Sequence, residues 1–122
     1  MVSAFPDLGS IAPQQIWDGV VGRTVHGELL TVSVVELEAG TAVPEHFHEN
    51  EQLGIVLQGA VRFTVGDESR DLEVGGMWRI PANVPHSVEV GPDAAVVIDI
   101  FSPTREVWRA LEELEPSPSR WP

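Results

Sequence analysis

The sequence has 122 residues and contains no cysteine, no tyrosine and no lysine. Without cysteine there is no disulfide, no thiolate nucleophile, no Cys-ligated iron–sulfur cluster and no Cys-type zinc site. Without lysine, Schiff-base chemistry from this chain is excluded, pyridoxal chemistry included. Without tyrosine, no phenol serves as acid or base. Positive charge is also scarce: seven arginines stand against 19 Asp and Glu, a formal charge of -12. A nucleic-acid backbone or an anionic membrane surface is repelled by such a chain, and no basic patch interrupts the acidity, so neither is an expected partner. No apolar run approaches the ~18 residues of a membrane span. Residues 1–7 carry no basic region ahead of an apolar stretch, so they do not read as a signal peptide. With the missing disulfides, this points to a cytoplasmic protein.

What is present suits one folded domain. Hydrophobic residues make up 43% and charged residues 21%, too apolar for a disordered chain. Residues 1–15, with Pro6, Gly9 and Pro13, read as an arm. Residues 116–122 read as a tail, leaving 16–115 as the domain. Apolar and β-branched runs recur over 16–21, 29–37, 52–57, 61–65, 72–74, 77–80, 86–90 and 94–101, punctuated by Gly and Pro. Many short strands at this spacing predict an all-β sandwich or barrel, with Gly66-Asp67 as a hairpin turn. One helix is expected to close the chain. Ser102 is its candidate N-cap and Pro103 its first residue, with Val107, Trp108, Leu111 and Leu114 at helical spacing. Glu112, Glu113 and Glu115 oppose the helix dipole at its C-terminal end, so this helix needs packing against the sheet or a partner.

Four histidines exist, and two form His46-Phe47-His48. Residues i and i+2 of a strand share a face, so both imidazoles can aim at one point, as ligands of a metal must. Two core or surface histidines at this spacing are the plain alternative. The surroundings sharpen the reading: Gly40, His46, His48, Gln52 and Gly59 form one block, and Gly75, Pro81, Asn83 and His86 a second. His26, in Thr24-Val25-His26-Gly27, has no second ligand near it in sequence and reads as a surface residue in a turn.

These two blocks resemble the paired motifs of the cupin superfamily. The resemblance implies a double-stranded β-helix, or jelly-roll, barrel in which both blocks converge on one metal ion. It implies His46, His48 and His86 as ligands, with Gln52 where the usual first block has a carboxylate; either Gln52 ligates or three histidines bind alone. Asn83 replaces the usual glycine, a tolerable change because Asn accepts a left-handed backbone. The ion would be one divalent transition metal per chain, with Ni, Zn, Fe and Mn all compatible with such donors. Three imidazoles and a neutral amide leave its full charge uncancelled, which strengthens it as a Lewis acid and attracts anions.

The run 94–101 is apolar except for Asp99, and burying a carboxylate is costly unless it is paired or used. Val97, Asp99 and Phe101 share one face. If that face is the interior, Asp99 is a candidate general acid or base. The alternatives are an outward strand-edge Asp, or one that hydrogen-bonds a metal-bound histidine. Residues 48–57, 80–86 and 97–106 resemble the single-domain cupins that linearise unsaturated uronates in pectin and alginate breakdown. That resemblance implies a three-His, one-Gln metal set, Asp99 and Phe101 in the active site, Arg105 near a small anionic sugar-like substrate, and a homodimer. The absence of tyrosine departs from it, since Ile55 stands where tyrosine is common. Arg105 has no helix-face carboxylate at i+3 or i+4, yet a solvent-facing arginine there is equally ordinary. Arg62 and Arg79 are expected to face solvent. The rival activities are a metal-dependent dioxygenase and a non-catalytic small-molecule binder.

Overall fold

Alternating burial along the strands builds two antiparallel sheets whose apolar faces meet. The computed structural model describes residues 3–122. Its strands are β1 (Gln14–Trp17), β2 (Val20–His26), β3 (Thr31–Leu37), β4 (Ala42–His46), β5 (Glu51–Gln58), β6 (Val61–Val65), β7 (Glu68–Leu72), β8 (Met77–Ile80), β9 (His86–Val90) and β10 (Ala95–Ser102). Six strands form one sheet in the order β1-β2-β3-β10-β5-β8, and four form the other in the order β4-β9-β6-β7. This is the expected all-β jelly roll. Val35 and Leu37 of β3, Val56 of β5 and Val97 of β10 meet Val43, Val61, Phe63 and Val90 of the smaller sheet in one buried core. The β6–β7 hairpin turns at Gly66-Asp67 as expected: Gly66 has φ +60° and Val65 pairs with Glu68, with Gly at the first central position of a tight hairpin turn.

Strands β4 and β7 escape the sequence pattern because both are edges of the smaller sheet. Edge strands carry polar residues and tolerate proline, and these two read Ala-Val-Pro-Glu-His and Glu-Ser-Arg-Asp-Leu. The run 16–21 divides into parts of β1 and β2 around Gly19 (φ +75°), while 73–76 is a turn closed by Gly76 N–H donating to the Glu73 carbonyl.

The C-terminal helix is shorter and begins later than expected: it is a single 3-10 segment, Glu106–Ala110. Ser102 ends β10, and its hydroxyl donates to the Leu29 carbonyl instead of capping a helix. The Arg105 N–H is taken by Thr31 Oγ1. Beyond Leu111 the chain runs extended beside β1, with Leu114 N–H donating to the Pro13 carbonyl and Gln15 N–H to that of Glu112. Tertiary partners thus claim the groups a longer helix would need. Trp108 is buried against Phe101, whereas Val107 is exposed. The last residues fold back over the outer face of β2 and β3. There the buried Arg23 pairs with Glu36 and donates to the Ser117 carbonyl and hydroxyl, and Arg120 N–H donates to Glu36. Among the described residues no helix is long and apolar enough to cross a membrane.

Candidate metal centre

His46 ends β4 and His86 begins β9, and the two are partners in the sheet register. His48 lies just beyond β4, so the strand stops before the second histidine of the pair, yet its ring still converges on the others. The exposed Phe47 points away between them. One nitrogen from each of the three imidazoles lies within 4.8 Å of the others. His26 is apart from them: it ends β2, and its Nδ1 lies 2.9 Å from Thr31 Oγ1. Arg62 pairs with Asp71 at the surface and Arg79 is exposed, as expected.

Backbone carbonyls set the orientation of each ring. His46 Nδ1–H donates to the Pro44 carbonyl at 2.8 Å, His48 Nδ1–H to Asn50 at 2.9 Å, and His86 Nδ1–H to Val84 at 2.9 Å. Each bond fixes the tautomer and leaves the Nε2 lone pair free for a metal. Burial lowers the His48 pKa, and it pushes His86 down to about 4 against the pull of the Val84 carbonyl. Neutral imidazoles are what a metal requires.

Two further features fit a cation. His86 Nε2 is buried and has no hydrogen-bond partner among the described residues, a costly state for a polar atom unless something occupies it. His48 Nε2 faces Gln52 Oε1 at 3.1 Å. With the His48 proton on Nδ1, both facing atoms are acceptors, an arrangement a shared cation relieves. Gln52 thus presents its amide oxygen to the edge of the three-histidine cluster. Asn83, at φ 64°, takes the left-handed conformation expected of it, and its N–H holds the His48 carbonyl at 2.8 Å.

The six-stranded sheet supplies the rest. Val97, Asp99 and Phe101 line the same cavity as the three imidazoles and Gln52, along with Arg105, Trp108 and Trp17; its volume is about 260 Å³. Gln52 Nε2–H donates to Asp99 Oδ1 at 2.8 Å and Trp78 Nε1–H to the same oxygen at 3.2 Å. Burial pushes the Asp99 carboxyl up to about 6 despite these two bonds, which pull the other way. Phe101 meets His48 edge-on, ring centres 5.6 Å apart. Arg105 lies 5.8 Å from the ring centres of both Phe101 and Trp108. Its Nε is buried without a partner, and among the described residues it makes no ion pair. Its neighbour Arg109 takes the nearby carboxylate of Glu106.

Sequence reasoning did not single out Trp17, Asn50 or Trp78. Trp17 sits 5.3 Å from His46, ring to ring. The buried Asn50 donates through Nδ2 to the Pro103 carbonyl at 2.6 Å and the Thr104 carbonyl at 3.2 Å, tying the histidine loop to the segment that carries Arg105. Only cross-strand register reveals Trp78; the one local signal is a glycine, Gly54, on the strand beside it.

A two-sheet jelly roll with convergent imidazoles defines a class of small metal-binding barrels. The chain matches the family described as Cupin domain over residues 33–101 and belongs to that family. An RmlC-like cupin from Shewanella frigidimarina shares the fold with a TM-score of 0.82 at 22% identity, covering 88% of this chain and 96% of that one. KdgF from a Halomonas species is similar with a TM-score of 0.79 at 28% identity, over 88% of this chain and 99% of that one. An uncharacterized protein of Streptomyces coelicolor is 27% identical over 86 residues, 70% of this chain and 82% of that protein.

Proposed function

We propose that this cupin is a metal-dependent enzyme that opens the ring of 4,5-unsaturated uronates to their keto form. The observation that carries the reading is Asp99: its Oδ1 is held by two donors while its carboxylate lines the same cavity as three imidazoles and an unpaired arginine. The uronate-cupin resemblance of residues 48–57, 80–86 and 97–106, and the likeness to KdgF, support it.

The chemistry is an isomerisation and balances without a co-reactant. The anomeric hydroxyl loses its proton as the C1–O5 bond breaks, C5–O5 becomes a carbonyl, and C4 gains a proton. Asp99 Oδ2 is the oxygen left to accept the first proton and deliver one to C4. Arg105 holds the substrate carboxylate through charge-assisted hydrogen bonds. Phe101 and Trp108 back the sugar ring and exclude water from that side. His46, His48, His86 and Gln52 would hold the cation, which supplies Lewis acidity at the substrate oxygens.

Metal-loaded protein incubated with unsaturated galacturonate is expected to bleach the enol absorbance without consuming oxygen. Asp99→Ala, assayed at metal concentrations that saturate the variant, should lose about 100-fold or more in rate, the usual weight of a positioned acid–base group. A wild-type rate no higher than buffer, with metal bound, would reject this substrate. Oxygen uptake on another substrate would favour a dioxygenase.

A further inference from the structure

We propose that Trp78, seated across Gly54, is the positioning residue of this site: it fixes the Asp99 carboxylate, and Asp99 fixes the Gln52 amide with its oxygen toward the metal. The inference rests on the reading of Gln52 and the three histidines as ligands.

Asp99, Gly54 and Trp78 form one register row across β10, β5 and β8. Side chains of such a row rise from the same face of the sheet, and the middle position has none. A Cβ at Gly54 would lie 2.2 Å from the indole Cε2 and Cζ2 and 2.4 Å from Nε1. The indole therefore occupies the place of a Gly54 side chain, which is how its N–H spans β5 to reach Asp99. From the facing sheet, Phe63 stacks on it with centres 4.6 Å apart and planes 22° from parallel. The ring is held from both sides.

The next link is Gln52, in the neighbouring row with Phe101 and Ile80. An amide has one donating end and one accepting end. Its donating end is committed to Asp99 Oδ1, so Oε1 must face the His48 Nε2 lone pair. Turned over, the amide could donate to that lone pair and relieve the clash of acceptors. Asp99 holds it in the orientation that favours a cation instead. Trp78 is a second donor on the same oxygen, restricting rotation of the carboxylate and leaving Oδ2 as its free oxygen.

The test uses Co²⁺ as probe, read by chelator competition and by its visible ligand-field spectrum, with the unfolding midpoint of metal-free protein alongside. Trp78→Phe keeps an aromatic ring on Phe63 and deletes only the donor. Gly54→Ala alters no functional side chain but displaces the indole. Each should weaken Co²⁺ binding about ten-fold, in the range for groups that orient metal ligands, and shift the spectrum toward that of Gln52→Ala. Phe63→Leu thins the same packing and keeps the donor; it should lower the midpoint and shift affinity and spectrum much less than Trp78→Phe does. Wild-type affinity and spectrum in Trp78→Phe would overturn the proposal, as would an equal shift in Phe63→Leu. Failure of wild-type protein to bind Co²⁺ would instead bring down the ligand reading beneath it. Ring-opening activity enters none of these readouts, so loss of the uronate substrate alone leaves the inference standing.

Discussion

His46 and His86 face each other across β4 and β9 as a register pair, with ring centres 4.3 Å apart. Two strands of one sheet thus fix two of the three convergent imidazoles before any loop contributes. His86 is the more exacting member, since its Nε2 is buried and otherwise unpartnered. His86→Ala is expected to weaken metal binding at least about 100-fold, beyond the upper range for residues that only orient ligands. Chelator competition with Ni²⁺, Zn²⁺ or Mn²⁺ measures it. In wild type, one ion at 100 times its Kd stabilises the fold by about 2.7 kcal/mol. At roughly 4 °C per kcal/mol for a domain of this size, the melting midpoint should rise about 10 °C. Chelation should reverse that rise, and His86→Ala should abolish it.

Arg105 is held over Phe101 and Trp108 with no carboxylate partner among the described residues. If it receives the substrate carboxylate, Arg105→Ala raises KM or Kd about 10- to 100-fold, the worth of a hydrogen bond to a charged group. Metal content should stay at the wild-type level. Binding of an unsaturated uronate, followed by calorimetry beside a metal assay, separates this from damage to the centre. Unchanged affinity would place Arg105 outside the substrate contact.

Asn50 links that arginine's segment to the histidine cluster. Its side chain holds two carbonyls of residues 103 and 104 while its own carbonyl orients His48. Asn50→Ala removes both side-chain bonds and leaves two carbonyls short of partners. The expected cost is about 1–3 kcal/mol by urea denaturation. KM should rise more than kcat falls, because the loosened segment carries Arg105. A fall in kcat alone would contradict that division.

The sequence makes legible what local spacing decides. The pair His46 and His48 flags the convergence, although the strand alternation that suggests it stops at His46, and Asp99 stands out as the lone carboxylate of an apolar strand. Edge strands β4 and β7 are hidden because their polar residues answer to solvent rather than to the core. The helix expected from Ser102 follows sound local rules for caps, but Thr31, Pro13 and Gln15 outbid them through tertiary hydrogen bonds. Trp78 is invisible because its role depends on which residue lies across Gly54, a fact of register. Arg23 and Glu36 are missed because charged residues are ordinarily exposed.

That last pair yields a prediction about stability alone. Arg23 is 2% exposed and Glu36 8%, on the outer face of the large sheet beneath residues 117–120. A buried pair costs desolvation of both charges, so breaking it differs from replacing it. Arg23→Met strands the Glu36 carboxylate with only the partly exposed Arg120 near it, at 3.6 Å. The expected loss is about 3 kcal/mol, read as a lower urea midpoint. The double change Arg23→Met with Glu36→Leu removes both charges and should recover most of that loss. In both variants the C-terminal residues lose the Arg23 guanidinium that binds Ser117, so protease should clip the tail faster while metal affinity is unchanged. If the double variant is as unstable as the single one, the pair itself, rather than the stranded charge, holds this face together.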